Sequence, residues 1–348
     1  MGEGAGEEAA PEPEKTDAQA EMLANRLRKR RSHLRKWARR TGAGLYRLYD
    51  RDIPEIPLVL DWYGDAVCGA LYKRPYEKDG AGERLWLSAM RGAVSAALEI
   101  PGDCIVLKER GRQRGNAQYG PAGHRRFLRD VREGGLNFRV NLSDYLDTGL
   151  FPDRRLLRAE IRKEAGGKRV LNLFAYTCAF SVYAAAGGAE SVDSVDLSRA
   201  YLDWGRLNFE LNGFKGEGAD PRDLGAGAAA RASLPSFRFV RADALRFLPE
   251  AKKAALRWDI IVLDPPTFSN SKKMQGFLDI KRDYCGLVRE CLGLLAPKGK
   301  LFFSVNARSF KFDGSAFPEA EVTDLTERLR DEDFRGKRVP ACWSFAKP

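Results

Sequence analysis

Asp264 closes the apolar run Ile260-Ile261-Val262-Leu263 and is followed by Pro265-Pro266-Thr267-Phe268. Such a run ending in a carboxylate predicts a buried parallel strand with its acid at the C-terminal edge. Open α/β sheets bind ligands at that edge. The prolines have fixed φ and no N–H to donate, so the loop leaves the strand stiffly. Phe268 adds a flat apolar face next to a charged acceptor. Together these suit a planar nucleobase: Asp264 and the Pro265 carbonyl to fix its edge, and Phe268 to stack on it, a contact worth about 1–3 kcal/mol per base. Asn306, after the next strand, is a further hydrogen-bonding candidate at the same rim.

Three other stretches converge on the same chemistry. Leu171-Asn172-Leu173-Phe174-Ala175-Tyr176-Thr177 ends the first strand of the pattern. A dinucleotide site would need G-x-G-x-x-G there, to bring backbone amides onto a pyrophosphate. Its absence disfavours a nicotinamide cofactor. Asp196, followed by Leu197, lies 24 positions after Asn172 (172 to 196), the spacing at which an acid reaches ribose hydroxyls. Asp243 ends the following strand, where an acid can accept the exocyclic amine of adenine. Asp is also a favoured helix N-cap, so Asp196 and Asp243 have a purely structural role open to them. Taken in order on successive strands, the acids predict a ligand with adenosine and a positive centre but no phosphate, S-adenosylmethionine. Asn172, Phe174, Tyr176, Thr177, Asp196, Leu197, Asp243 and Asp264 are the expected cofactor residues. Arg154, before the first strand, is expected to bind the cofactor's carboxylate through its bidentate fork.

These positions need an alternating βα scaffold. Strands are expected at 169–174, 191–195, 237–241, 259–263 and 300–305, with helices at 179–186, 198–212, 244–255 and 284–295. That alternation implies a doubly wound, mostly parallel sheet. Gly216–Leu234, rich in Gly and Ala, is expected to be an insertion. Upstream, short strands at 45–49, 58–62, 66–71 and 104–108, a helix near 85–98 and a hairpin turning at Gly134-Gly135 form a smaller α+β domain. The division expected is a disordered tail at 1–20, a basic helix at 21–43, an α+β accessory RNA-binding domain at 44–142 and a catalytic domain at 143–348. In the helix, Leu23, Leu27, Leu34 and Trp37 make an apolar stripe flanked by cations alone. An all-positive face repels itself, and phosphate contacts by Arg28, Lys29, Arg30, Arg31 and Arg35 are expected. The basic stretch from Glu109 to Gly123 is expected to be a loop.

The 348 residues carry a formal net charge of +11, which suggests a polyanionic partner. No apolar run is long enough to span a bilayer, so no membrane partner is expected. The six cysteines are scattered without C-x-x-C spacing, which fits a reducing cytosol and argues against a zinc site; Cys285 and Cys291 are expected in the core. With only two histidines, the composition argues against a His-based site or metal centre, and no metal is expected.

The motifs Val170–Thr177, Gly187-Gly188-Ala189, Ser194–Ser198 and Asp264-Pro265-Pro266-Thr267-Phe268-Ser269-Asn270-Ser271-Lys272-Lys273-Met274 resemble those of the bacterial 23S rRNA large-subunit methyltransferase K/L family, in its K half. The likeness covers about residues 22 to 348. It implies a class I, Rossmann-like methyltransferase fold, S-adenosylmethionine as donor and N7 of a 23S rRNA guanosine as acceptor. Cys178 stands where that family has Gly. The sister 5-methylcytosine enzymes place a nucleophilic Cys after the strand that follows the Asp-Pro-Pro helix. Here that place reads Ser304-Val305-Asn306-Ala307. Methylation of another base, or a non-catalytic RNA-binding assembly factor, are the other readings.

Overall fold

The computed structural model describes residues 13–72, 80–109, 127–145, 147–224, 234–269 and 278–347. The basic stretch 110–123 and the motif residues Asn270–Met274 lie outside these. Two units divide the chain: residues 1–135 with 140–148, and residues 136–139 with 149–348. The division expected at 142/143 therefore falls at 148/149, with a short exchange inside one hairpin.

In the first unit, α1 (Pro13–Thr41) begins well before the expected residue 21. Its early turns are held by a contact that composition cannot reveal. Gln19 is buried, and its Oε1 accepts the Trp86 indole N–H at 2.6 Å. Trp86 lies in α2 (Gly80–Leu98). The sheet is ordered β1 (Leu45–Asp50), β2 (Leu58–Tyr63), β3 (Ala66–Leu71) and β4 (Ile105–Glu109), antiparallel except for the last pair. Leu23, Leu27, Leu34 and Trp37 of α1 are buried in one core with Trp86, Met90 and Val94 of α2 and the strands. The expected hairpin forms as β5 (Leu128–Glu133) and β6 (Leu136–Asn141). Gly134 and Gly135 both have positive φ, 59° and 82°, as a two-residue I′ turn requires.

The second unit is an eight-stranded sheet. Its strands are β7 (Arg169–Leu173), β8 (Ser191–Asp196), β9 (Glu217–Ala219), β10 (Phe237–Arg241), β11 (Trp258–Leu263), β14 (Leu295–Val305), β15 (Glu321–Asp324) and β16 (Ala341–Ala346). Across the sheet they run β15-β16-β14-β11-β7-β8-β10-β9. Only the pairings of β16 are antiparallel. The chain winds from β7 outward through β8 to β10, then returns to the other side of β7 with β11 and β14. The switch point lies between β7 and β11. Three strands of this sheet differ from expectation. Residues 217–219 of the expected insertion are an edge strand paired with β10, and β15 and β16 complete the opposite edge.

Side chains alternate across the sheet with period two. Leu171, Leu173, Ile261 and Leu263 face α6 (Ala244–Lys253) and α7 (Ile280–Gly293). Val170, Ile260 and Val262 face α3 (Arg155–Glu164) and α4 (Ala179–Ala186). α5 (Arg199–Glu210) follows β8. A small pair, β12 (Phe268–Ser269) and β13 (Leu278–Asp279), closes the Asp-Pro-Pro loop ahead of α7.

Candidate cofactor and acceptor site

Register places the expected residues at one level. Leu263 pairs with Leu173, and Leu173 with Val195. Asp264, Phe174 and Asp196 are each the next residue on their neighbouring strands, so they share one rim at the switch point. Across β8 and β10, Arg241 pairs with Asp196, and Asp243 follows two residues later.

The loop after β7 is unusual. Phe174, Tyr176 and Cys178 have φ of 54°, 50° and 59°. Left-handed backbone at a non-glycine residue costs on the order of 1–3 kcal/mol and persists only where the surroundings over-determine it. They do so here. Ala175 N–H donates to Val195 O at 3.0 Å and Cys178 N–H to Ala175 O at 2.8 Å. Tyr176 N–H donates to Asp196 Oδ2 at 2.9 Å, Thr177 Oγ1 to Gly149 O at 2.5 Å and Asn208 Nδ2 to Thr177 O at 2.9 Å. Cys178 is fully buried, and a Cβ at Gly205 would lie 2.4 Å from its Sγ. Gly205 thus makes the room that a larger residue at 178 needs.

Asp196 also accepts Ser198 N–H, on Oδ1, at 2.8 Å. Burial pushes its carboxyl above the ordinary 3.8, against the opposing pull of the Ser198, Tyr176 and Leu197 N–H groups. Ser198, not Asp196, caps α5. A carboxylate offers about four lone-pair sites, so Asp196 keeps acceptor capacity for a hydroxyl. Asp243 does act as a cap: its Oδ1 accepts Leu245 N–H at 3.0 Å at the start of α6, which leaves Oδ2.

Three expectations about the cofactor residues change. Asn172 is buried one residue inside the strand end, and its Nδ2 donates to Ser181 Oγ of α4 at 2.9 Å. It shares a face with Ser194, whose hydroxyl also bonds Ser181 at 2.8 Å, so it ties sheet to helix instead of lining the rim. The Thr177 hydroxyl is likewise buried and committed to Gly149. Arg154 is nearly buried, and its fork is taken: Nε and Nη2 donate to Asp264 at 3.2 and 3.0 Å, and Nη1 lies 3.0 Å from Asp153 Oδ2. Burial alone would lower its pKa, but the two carboxylates outweigh that and hold it above the ordinary arginine value. The side chain expected to meet a cofactor carboxylate instead fixes Asp264.

Ser304 of β14 donates its hydroxyl to Asp264 Oδ1. Asp153 and Ser304 are site residues that the sequence reading did not single out. A lone hydroxyl within Leu301-Phe302-Phe303-Ser304-Val305 was the available signal for the second. Pro265 is buried, Phe268 is 56% exposed and Asn306 is exposed. Cys342 sits opposite Ser304 across β14 and β16, but it is buried, and burial holds its thiol far above the ordinary range. Cys291 is buried and Cys285 partly so, both on the core side of α7 as expected.

The basic helix is mixed. Arg28, Lys29 and Arg35 are exposed. Arg30 and Arg31 turn back onto the first unit: Arg30 Nε donates to Leu48 O at 3.3 Å, while Arg31 donates to Leu98 O and stacks 4.6 Å from the Trp62 ring. One donor of each therefore serves a carbonyl of the first unit, which leaves Arg28, Lys29 and Arg35 as the fully exposed cations of the expected set.

The sequence pattern of S-adenosylmethionine-dependent methyltransferases matches residues 45–332. The chain belongs to that family. Ribosomal RNA large subunit methyltransferase K of Neisseria meningitidis serogroup B is 42% identical over 323 residues, covering 93% of this chain and 86% of that protein. The K/L protein of Hahella chejuensis is 43% identical over 93% of this chain, which spans only 42% of that longer relative. The solved structure of the methyltransferase SMU.776 with S-adenosylhomocysteine has a TM-score of 0.69 at 23% identity, covering 94% of this chain and 81% of that one. At that identity the likeness concerns the fold, and it agrees with the class I arrangement described above. The methyl donor of the family is S-adenosylmethionine. The rim fits it: Asp196 retains acceptor capacity, two carboxylates face one guanidinium beside the switch point, and Asp153 Oδ1 is buried without a partner among the described residues. No helix among the described residues is long and apolar enough to cross a membrane, and none of their His, Cys, Asp and Glu residues form a metal-binding group.

Proposed function

We propose that this chain methylates N7 of a guanosine in 23S rRNA. The relatives' names supply the substrate class, large-subunit ribosomal RNA. The choice of atom rests on one observation: Asp264, the acid at the acceptor edge, is bonded by both Arg154 and Ser304, so it is set to orient a base and not to remove a proton from one. Guanine N7 has an in-plane lone pair and no proton to lose. Its methylation asks for alignment and exclusion of water, not a base. The exocyclic N2 must shed a proton, and cytosine C5 needs a thiolate to add to the ring. The nearby Cys342 is buried and held as a thiol, which speaks against the second.

S-adenosylmethionine supplies an electrophilic methyl group on a sulfonium. In this reading Asp196, with the Phe174–Tyr176 backbone and Leu197, seats the ribose, and Asp243 Oδ2 takes the adenine amine. Asp264 and the Pro265 carbonyl fix the guanine edge, Phe268 stacks on its face and Asn306 hydrogen-bonds at the rim. The exposed Arg28, Lys29 and Arg35 of α1 contact backbone phosphates. Cytoplasmic rRNA or its precursor particle is the substrate.

The test is product mapping. The full chain is incubated with methyl-labelled S-adenosylmethionine and large-subunit rRNA, and the RNA is digested to nucleosides for mass spectrometry. Label in 7-methylguanosine is expected. Label in N2-methylguanosine or 5-methylcytidine would overturn the choice of atom, and absence of label would favour an assembly role.

A further inference from the structure

Asp153 has one satisfied oxygen and one orphan. Its Oδ2 lies 3.0 Å from Arg154 Nη1, whereas its Oδ1 is buried and has no hydrogen-bond partner among the described residues. A buried acceptor left unpaired is unfavourable, and a charged one more so. Arg154 offers no relief, because Nε and Nη2 are committed to Asp264. The local balance is two carboxylates against one guanidinium. A cation carrying N–H donors would complete it.

The position of Asp153 identifies the cation. The segment that carries it is fastened to the loop after β7: Gly149 O accepts the Thr177 hydroxyl at 2.5 Å, and the Phe151 and Tyr176 rings lie 5.6 Å apart. Gly149 has φ of +102° and no room for a Cβ, which would meet Trp204 at 2.3 Å, so the segment lies close against α5. At its other end Arg154 ties it to Asp264 at the tip of β11. Asp153 therefore stands with the ends of β7 and β11, the two strands that flank the switch point, where doubly wound sheets hold their ligands.

We propose that Asp153 Oδ1 accepts a hydrogen bond from the α-ammonium of the S-adenosylmethionine amino-acid tail. An ammonium has three N–H donors and no acceptor, and its bond to a carboxylate is charge-assisted. Arg154 then acts as a positioning residue that holds Asp153 and Asp264 at once and does not itself bind the tail. The inference rests on the cofactor's seat at this edge and not on which base atom is methylated.

The test is calorimetry on the full chain with S-adenosylhomocysteine and with its des-amino analogue, in which hydrogen replaces the α-ammonium. Both ligands lack the sulfonium, so their difference isolates the tail. Wild type is expected to prefer S-adenosylhomocysteine by about 10- to 100-fold, the range of one charge-assisted hydrogen bond. Asp153→Asn is expected to bind the analogue as wild type does and to lose most of that preference. Equal affinity of the two ligands for wild type would overturn the proposal with no variant needed, so misfolding of Asp153→Asn cannot shield it. A preference kept in the variant, or equal weakening of both ligands, would also overturn it. Failure of wild type to bind S-adenosylhomocysteine at all would remove the cofactor's seat itself.

Discussion

The Arg154–Asp264 pair carries a prediction that separates this account from a cofactor-carboxylate role for Arg154. Arg154→Met keeps an unbranched apolar stem and removes the guanidinium. Asp264 and Asp153, whose side chains are only 16% and 18% exposed, then lose their shared cation. Removing one partner of a fully buried pair costs about 3–5 kcal/mol. The residual exposure lets water screen part of that, so about 2–4 kcal/mol is expected here. Asp264→Asn retains an acceptor for Ser304 and leaves Arg154 its Asp153 partner, so about 1–2 kcal/mol is expected. If the two side chains act as one unit, the double variant falls well short of the sum, with a coupling of about 1–3 kcal/mol. The assay is urea unfolding followed by circular dichroism, fitted with a separate transition for each of the two units. Additive effects, with coupling within about 0.5 kcal/mol of zero, would refute the claim that Arg154 holds Asp264.

Phe268→Ala should weaken rRNA affinity by about 1–3 kcal/mol while leaving S-adenosylhomocysteine binding unchanged, as read by filter binding and calorimetry; an unchanged RNA affinity would show that the exposed ring does not stack. Asp196 has its carboxyl raised above 3.8 by burial. It therefore takes up its proton earlier than an ordinary aspartate as the pH falls, and cofactor affinity should drop over that interval but stay flat in Asp196→Asn. The sign for stability is opposite: a raised folded-state pKa contributes stability that is present below 3.8 and is lost as pH rises through the folded value. Burial also raises the thiols of Cys178, Cys291 and Cys342. With iodoacetamide at pH 8, Cys104 and Cys285, which are only partly buried, should be alkylated first. Early labelling of Cys342 would reopen the possibility of thiolate chemistry beside Asp264.

Much of the scaffold was legible because buried parallel strands are near-continuous apolar runs and their terminal acids interrupt them. Ile260–Leu263 before Asp264 is of this kind; Ser191–Val195 is not, and Asp196 was legible from its spacing after Asn172, with β7 between the two acids at one level. What was hidden is long-range pairing. Arg154 meets Asp264 across 110 positions, and Ser304 meets it across 40. Neither spacing has a local sign, so a bidentate Arg looked free for a ligand. Asn172 and Thr177 look alike in sequence to rim residues; one residue of register turns Asn172 inward onto the Ser181 hydroxyl, and the Gly149 carbonyl takes the Thr177 hydroxyl. The Arg-rich helix misled in a similar way, because charge along the chain does not say that Arg31 lies on Trp62. Strand β9 sits within a Gly/Ala-rich stretch whose composition reads as loop, and its pairing with β10 overrides that.

The central claim is that carboxylates at the ends of adjacent strands seat the methyl donor. A crystal structure of the full chain with S-adenosylhomocysteine tests it most directly. A ribose hydroxyl is expected about 2.7 Å from an Asp196 oxygen, a normal O–H···O distance, with the adenosine lying along the β7–β8–β10 edge. A ligand bound elsewhere, or an Asp196 carboxylate that touches only the N–H groups of Tyr176 and Ser198, would contradict it.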